Sequence, residues 1–334
     1  MMELKTAETI LEVRDLQTHF FTPQGVVKSV DGVSLTLKRG EILGLVGESG
    51  SGKSITGFSI LGLVDPPGRN VGGSILFRGE ELLNASEERL RSLRGNRIAM
   101  IFQDPMMTLN PVLSIKTHMI ETVLAHDNVG REEALARSIE ALRMVGISQP
   151  ETRIESYPHE FSGGMRQRVA IAIALLHKPD LIIADEPTTA LDVTIQSQIL
   201  SEVQKLCREF GMGLIWISHD LGVVAGLADR VAVMYAGRIV EQGTVDEVLD
   251  SPRHPYTAGL IGSAPAANRR GARLQQIRGA APHPLNRPEG CAFRTRCDYA
   301  TDMCLKEPPE TAGSRAHRWR CFHPLADAQL ETLP

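Results

Sequence analysis

Residues 11–37 alternate between apolar and polar side chains, with turn residues at Pro23-Gln24-Gly25 and a closing Arg39-Gly40. A period of two puts successive side chains on opposite faces of a strand, so this stretch predicts an antiparallel sheet. The pattern then changes. Residues 41–46, 181–184 and 213–218 are short, almost continuous apolar runs, as expected of strands buried on both faces of a parallel sheet. Residues from about 104 to 178 read mainly as helix, and 131–145 carries Ala134, Leu135, Ile139, Leu142 and Val145 at helical spacing. Val231-Ala232-Val233-Met234-Tyr235, Ala236-Gly237 and Arg238-Ile239-Val240 read as a hairpin with a tight turn. An α/β fold follows, with an antiparallel β part and a helical part set around a parallel core.

Residues 55–64 continue as a mostly apolar helix. Between the 41–46 strand and that helix stands Gly47-Glu48-Ser49-Gly50-Ser51-Gly52-Lys53-Ser54, which fits the phosphate-binding pattern G-x-x-x-x-G-K-[ST]. The glycines allow backbone N–H groups to turn inward around phosphates. Lys53 brings a point charge to the β and γ phosphates, and Ser54 offers a hydroxyl to Mg²⁺. The helix start adds its dipole. A bare glycine-rich turn would not account for the strand before and the helix after.

Leu181-Ile182-Ile183-Ala184-Asp185-Glu186 is a strand ending in two acids. Asp185 is assigned to the Mg²⁺ shell and Glu186 to the general base that polarises the attacking water; acids merely solvated at a strand end are the competing reading. Gly213-Leu214-Ile215-Trp216-Ile217-Ser218 ends at His219. At the carboxyl end of a parallel strand, ligand-contacting residues are expected, which fits His219 to reach the γ phosphate.

Phe161-Ser162-Gly163-Gly164-Met165-Arg166-Gln167-Arg168 precedes an apolar run over 169–176. Ser162 with the N–H groups of Gly163 and Gly164 makes an anion-binding helix start. Placed after the phosphate loop and before the double-acid strand, this segment resembles the signature of the ATP-binding cassette transporter ATPases. That resemblance implies a P-loop NTPase cassette with an antiparallel β subdomain and a helical subdomain, working as a pair in which each signature faces the γ phosphate on the other subunit. Phe161 and Met165 stand where the broad family most often has Leu and Gln, a mark of a subfamily. The resemblance extends to Gln103, after the 98–102 apolar run, as the glutamine that touches Mg²⁺ and water and senses membrane subunits; a solvated strand-end side chain is the alternative. It extends to Ala190-Leu191-Asp192 as the loop between the two ATP sites, with a helix N-cap as the alternative for Asp192, and to Phe20 as the aromatic that stacks on adenine. Phe21 is adjacent to Phe20, and either could be core.

Lys plus Arg number 36 against 40 for Asp plus Glu, so the net charge of -4 argues against nucleic acid as the main partner. No apolar stretch approaches the ~20 residues that cross a bilayer, and residues 1–10 lack the apolar run of a signal peptide. The expectation is a soluble chain that reaches a membrane by docking onto other subunits.

After Ser251 the composition shifts to Pro, Arg and Cys. Arg253-His254-Pro255-Tyr256-Thr257 resembles the segment that opens the C-terminal extension of the oligopeptide, dipeptide and nickel importer ATPases; a plain turn is the competing reading of His-Pro-Tyr. The cassette is thereby expected over residues 9–250, with the helical subdomain at about 104–178, and the extension over 251–334. The resemblance implies ATP and Mg²⁺ as cofactors, two membrane permeases, a second and unlike cassette ATPase, an extracytoplasmic binding protein and a place on the cytoplasmic face of a bacterial membrane. A nickel or small-solute importer and a soluble regulatory cassette are the alternatives to peptide import.

Four of the five cysteines lie in that extension, at Cys291, Cys297, Cys304 and Cys321, separated by five, six and sixteen residues. These are not the paired spacings of a zinc ribbon, and loop-borne thiolates also suit iron-sulfur clusters. The extension resembles those in which four such cysteines hold a [4Fe-4S] cluster; zinc and unmetallated thiols stay open, and His323 reads as a surface histidine, with a substitute ligand as the alternative. Cys207, alone in a helical stretch, reads as core. The extension is expected to bury little of its own and lies far in sequence from every nucleotide motif.

Overall fold

A computed structural model describes residues 8–188, 192–263, 276–313 and 316–326. Strands β1 (Thr9–Thr22) and β2 (Gly25–Lys38) realise the alternating stretch, and β3 (Ile42–Val46) is the fully buried run before the phosphate loop. Helix α1 (Lys53–Leu61) follows, then β4 (Gly68–Phe77), β5 (Glu80–Glu81), α2 (Glu87–Leu93) and β6 (Ile98–Ile101). The helical stretch contains α3 (Ile115–Leu124), α4 (Arg131–Met144), α5 (Pro150–Arg153) and α6 (Gly163–Leu175). Next come β7 (Leu181–Asp185), α7 (Val193–Phe210), β8 (Gly213–Ser218), α8 (Leu221–Leu227), β9 (Arg230–Tyr235), β10 (Arg238–Thr244) and α9 (Val245–Asp250). The extension adds α10 (Pro255–Ser263) and the three-residue strands β11 (Glu310–Ala312) and β12 (Arg318–Arg320).

The chain forms two compact units. One comprises the residues up to Ile10, Lys38–Glu41 and Ala85–Ile215; the other comprises Leu11–Leu37, Ile42–Asn84 and the chain from Trp216 onward. In the first, β6 and β7 are parallel neighbours, with Ile101 opposite Ala184. Helices α3, α4 and α6 pack on one another in the same unit. The face of α4 differs from its periodic reading: Ser138 is fully buried, and its hydroxyl donates to the Ala134 carbonyl at 2.7 Å. A serine that closes its hydrogen bond on the preceding turn can be buried at little cost.

In the second unit β2, β1, β4 and β5 form the antiparallel sheet, with Phe20 opposite Gly68. Strand β3 runs parallel to β9, which pairs antiparallel with β10. Strand β12 then adds to β10 and β11 to β12, both antiparallel, so the extension continues a cassette sheet instead of lying apart from it. Helix α1 stops at Leu61, short of the expected 64, because Gly62 adopts a left-handed φ of 63° and its N–H turns back to the Phe58 and Ser59 carbonyls. Among the described residues no helix is long and apolar enough to cross a membrane.

Candidate nucleotide-binding site

The phosphate loop leaves β3 through Gly47 (φ 154°) and enters α1 through Gly52 (φ 104°). Both positions need glycine for two reasons. Their φ values are rarely adopted by L residues, and an added Cβ would lie 2.1 Å from the Met234 carbonyl oxygen at Gly47 and 2.2 Å from the Ser29 carbonyl oxygen at Gly52. The loop is thus seated directly on backbone from β2 and β9. The Gly237 N–H, from the β9–β10 turn, donates to the Ser51 carbonyl at 2.9 Å and fixes the loop's far side. Lys53 is buried, with Nζ donating to the Gly47 and Glu48 carbonyls at 2.8 and 3.1 Å. Ser49 and Gly50 are exposed, while Ser54 begins the first turn of α1 and is half-buried.

His219 follows the last residue of β8 and is exposed. Asp220 caps α8, its Oδ1 accepting from the Gly222 N–H at 2.8 Å. Phe20 is half-buried against Gly68, whose added Cβ would approach its ring to 2.6 Å. Phe21 is exposed instead, with the Arg69 guanidinium 4.2 Å above its ring.

In the first unit, Asp185 is the buried last residue of β7, and Glu186 turns out of the strand at a φ of 44°. A non-glycine residue in that region stores strain of about 1–3 kcal/mol, and such residues cluster at functional sites. Gln103 stands two residues beyond Ile101 and Glu186 two beyond Ala184, its register partner. The two side chains therefore leave neighbouring parallel strands at the same end. Ser162 caps α6, its Oγ accepting from the Met165 N–H at 3.3 Å. Gly163 and Gly164 are the first two helical residues, whose N–H groups have no acceptor within the helix. Asp192 precedes α7, and its carbonyl accepts from the Gln196 N–H at 2.9 Å, the N-cap arrangement. Ala190 and Leu191 lie outside the described residues.

Two residues that sequence reasoning gave no nucleotide role also reach the loop. The His-Pro-Tyr segment is buried. Burial pushes the His254 imidazole down to about 4, so the ring is neutral and its Nδ1 accepts the Tyr256 N–H at 3.0 Å, with Pro255 as the first residue of α10. This local cap aims Tyr256 at the phosphate loop, where its hydroxyl accepts the Glu48 N–H at 2.9 Å. Arg296 forms a two-pronged pair with the Glu48 carboxylate. The extension, far in sequence from the nucleotide motifs, thus reaches the phosphate loop in space. Its expected lack of buried apolar surface is corrected: Phe293 is buried, with ring centroids 5.3 Å from Tyr235 and 5.4 Å from Tyr256. The extension is further anchored on the fully buried Glu241 of β10, whose carboxylate accepts from the Arg253 and His254 N–H groups and from His317 Nε2.

Cys291, Cys297, Cys304 and Cys321 line one small cavity, with Phe293 and His323 beside them. Burial pushes the Cys297 thiol up to about 11 and the Cys321 thiol up to about 12, and raises that of Cys291 as well. A bound cation would reverse that balance, since metal-ligating thiols are deprotonated. Four soft donors on one cavity are chemically suited to zinc or an iron-sulfur centre. Among the described residues, however, no group of three or more His, Cys, Asp or Glu is arranged as a ready metal cage. His323 Nε2 pairs with Thr301 Oγ1 at 2.7 Å. Cys207 is fully buried in α7, as core.

A phosphate loop of this build, a double-acid strand end and a Ser-Gly-Gly helix start define an ATP-binding cassette. The chain matches the ABC transporter family over residues 30–189 and the C-terminal region of oligopeptide/dipeptide transporters over 240–304. It is 47% identical over 321 residues, 96% of each chain, to the oligopeptide transport ATP-binding protein OppD of Salmonella typhimurium. To OppD of Bacillus subtilis it is 50% identical over 311 residues, 92% of this chain and 87% of that one. Its fold is similar to that of the dimeric ATP-binding cassette MJ0796 in a post-hydrolysis state bound to ADP and phosphate, with a TM-score of 0.64 at 25% identity, over 70% of this chain and 98% of that one. The chain belongs to the ABC transporter family, in its oligopeptide/dipeptide branch, and is an ATPase that uses ATP with Mg²⁺.

Proposed function

We propose that this chain is the subunit that couples ATP binding and hydrolysis to the import of di- and oligopeptides through partner membrane permeases. The observation that carries this reading is likeness over nearly the whole chain, extension included, to oligopeptide transport ATP-binding proteins. The cassette spans residues 9–250, its helical subdomain about 104–178, and the extension 251–334. Gly47 to Ser54 cradle the phosphates, Ser54, Asp185 and Gln103 hold Mg²⁺, and Phe20 stacks on adenine. Glu186 draws the proton from water while Lys53 and His219 stabilise the charge that develops on the γ phosphate. Ser162, Gly163, Gly164 and Asp192 serve the ATP held by the other cassette. That partner is an unlike cassette subunit, and two permeases with an extracytoplasmic binding protein complete the importer at the cytoplasmic face of a bacterial inner membrane. Exposed Met106, Met107, Val112 and Leu113, just past Gln103, support a permease contact there. Uptake of a labelled oligopeptide by cells lacking the gene tests the reading. Restoration by the wild-type chain and not by Glu186→Gln is expected, and recovery of nickel uptake alone would replace peptide by metal as the cargo.

In the extension, Cys291, Cys297, Cys304 and Cys321 hold a structural [4Fe-4S] cluster, which would cross-link loops with little regular structure. The shared cavity and the all-thiol donor set support this. Protein purified without oxygen should carry iron and labile sulfide. Stoichiometric zinc without iron would make it a zinc site, and neither metal would return the thiols to plain packing.

A further inference from the structure

Glu48 puts a carboxylate inside a loop that has to hold a polyanion, and like charges at short range repel. The structure compensates that charge from outside the loop. Arg296 Nη1 lies 2.7 Å from Glu48 Oε2 and Nη2 lies 2.9 Å from Oε1. The arginine side chain is 5% exposed, against 28% for the glutamate, so it is the arginine that is built in. Its Nε donates to the Arg278 carbonyl at 2.8 Å and its Nη1 to the Tyr235 hydroxyl at 3.4 Å, which fixes the plane of the guanidinium. The Glu48 N–H is meanwhile held by the Tyr256 hydroxyl. Backbone and side chain of one loop residue are thus both fixed by residues that follow the cassette's last helix. Arg296 adjoins Cys297, and Phe293 touches both the aromatic cluster and the thiol cavity.

We propose that Arg296 is a positioning residue for ATP: it cancels the charge of Glu48 and turns its carboxylate aside, so that the folded extension sets the affinity of the phosphate loop for nucleotide. This rests on the cassette's ATP binding and is independent of any metal in the thiol cavity. Removing one charge or both changes affinity in a pattern that mere loss of packing would not reproduce. Removing the arginine leaves a carboxylate facing the phosphates, whereas removing both charges relieves the repulsion.

Titration of the full chain with a fluorescent ATP analogue, together with steady-state ATPase assays, tests it. Arg296→Gln should weaken binding about tenfold, equivalent to about 1.4 kcal/mol, raising KM for ATP with a much smaller change in kcat. Added salt should shrink the deficit. Arg296→Lys should keep most of the affinity, and the double variant Glu48→Gln/Arg296→Gln should return to within about twofold of wild type, the non-additivity of a coupled pair. Glu48→Gln alone should bind the analogue more tightly, and this arm stands even if Arg296→Gln does not fold. Wild-type affinity in Arg296→Gln, a double variant as weak as Arg296→Gln, or weaker binding by Glu48→Gln would each overturn the proposal.

Discussion

Replacing Asp31 by asparagine should cost the folded protein about 3 kcal/mol at neutral pH, and progressively less as the solution is acidified. Asp31 Oδ2 accepts from Arg238 Nε and Nη2 at 3.0 and 2.7 Å and from Arg287 Nη2 at 2.5 Å, and its side chain is only 10% exposed. Burial pushes the carboxyl up, but the Arg238 and Arg287 guanidiniums outweigh it and hold the group at about 2. Against an unfolded value near 3.9, that depression corresponds to roughly 2.5 kcal/mol of stability. Because the folded value is the lower one, the contribution is fully present above about pH 5, roughly halved near pH 3 and almost gone at about pH 2. Breaking a buried pair from one side costs about 3–5 kcal/mol. The lower end applies here, because Arg238 and Arg287 are 24% and 18% exposed and Arg238 keeps Glu307 as a partner. Spread over an unfolding entropy scaled to this chain length, the loss is a drop of about 4 °C in melting temperature. Circular dichroism melts of wild type and Asp31→Asn from pH 7 down to pH 3 would read it. A variant melting within about 1 °C of wild type at pH 7, or a gap that does not narrow on acidification, would show that the Asp31 carboxylate does not stabilise the fold through Arg238 and Arg287.

Glu186→Gln should bind ATP yet nearly abolish turnover and accumulate the ATP-bound, closed cassette pair, since the amide keeps the shape and loses the base; wild-type turnover in the assembled transporter would remove Glu186 from that role. Gly52→Ala sets a Cβ 2.2 Å from the Ser29 carbonyl at a left-handed φ. It should lower stability by roughly 3 kcal/mol or abolish nucleotide binding, and a variant that melts and binds like wild type would show the loop can move off β2. Cys297→Ser should lose metal and loosen the extension, read as faster proteolysis after Ser251, while ATP affinity falls only as far as Arg296 is displaced. Unchanged metal content would take Cys297 out of the donor set.

The elements legible in the sequence are those whose burial is uniform along one face. Residues 11–37 alternate because the sheet has one covered side, and they fold as β1 and β2 with the turn where Pro23 and Gln24 stand. Strands β3, β7 and β8 are buried at every position and read as apolar runs. Pattern fails where burial is secured by something other than an apolar side chain. Ser138 is hidden by a bond to its own helix. Strand β12 is Arg318-Trp319-Arg320, three residues that announce nothing until β10 offers an edge to pair with.

The nucleotide motifs were legible for a different reason: phosphate chemistry demands particular residue types at fixed short spacing, so the phosphate loop, the double acid and the Ser-Gly-Gly start are written locally. The contacts between the extension and the loop are not of that kind. Arg296 and Glu48 are 248 residues apart, and in a segment that also carries Arg287 and Arg294 nothing local distinguishes the arginine that pairs with the loop. Only the path of the chain does so. His254 caps α10 and orients Tyr256, Glu241 fastens the start of the extension to β10, and Phe293 packs against both Tyr235 and Tyr256. With those three fixed, the residues after Phe293 pass close by Glu48. The His-Pro-Tyr segment, a plain turn on its competing reading, is thus the first of a set of anchors that bring a distant guanidinium to the one acidic residue of the phosphate loop.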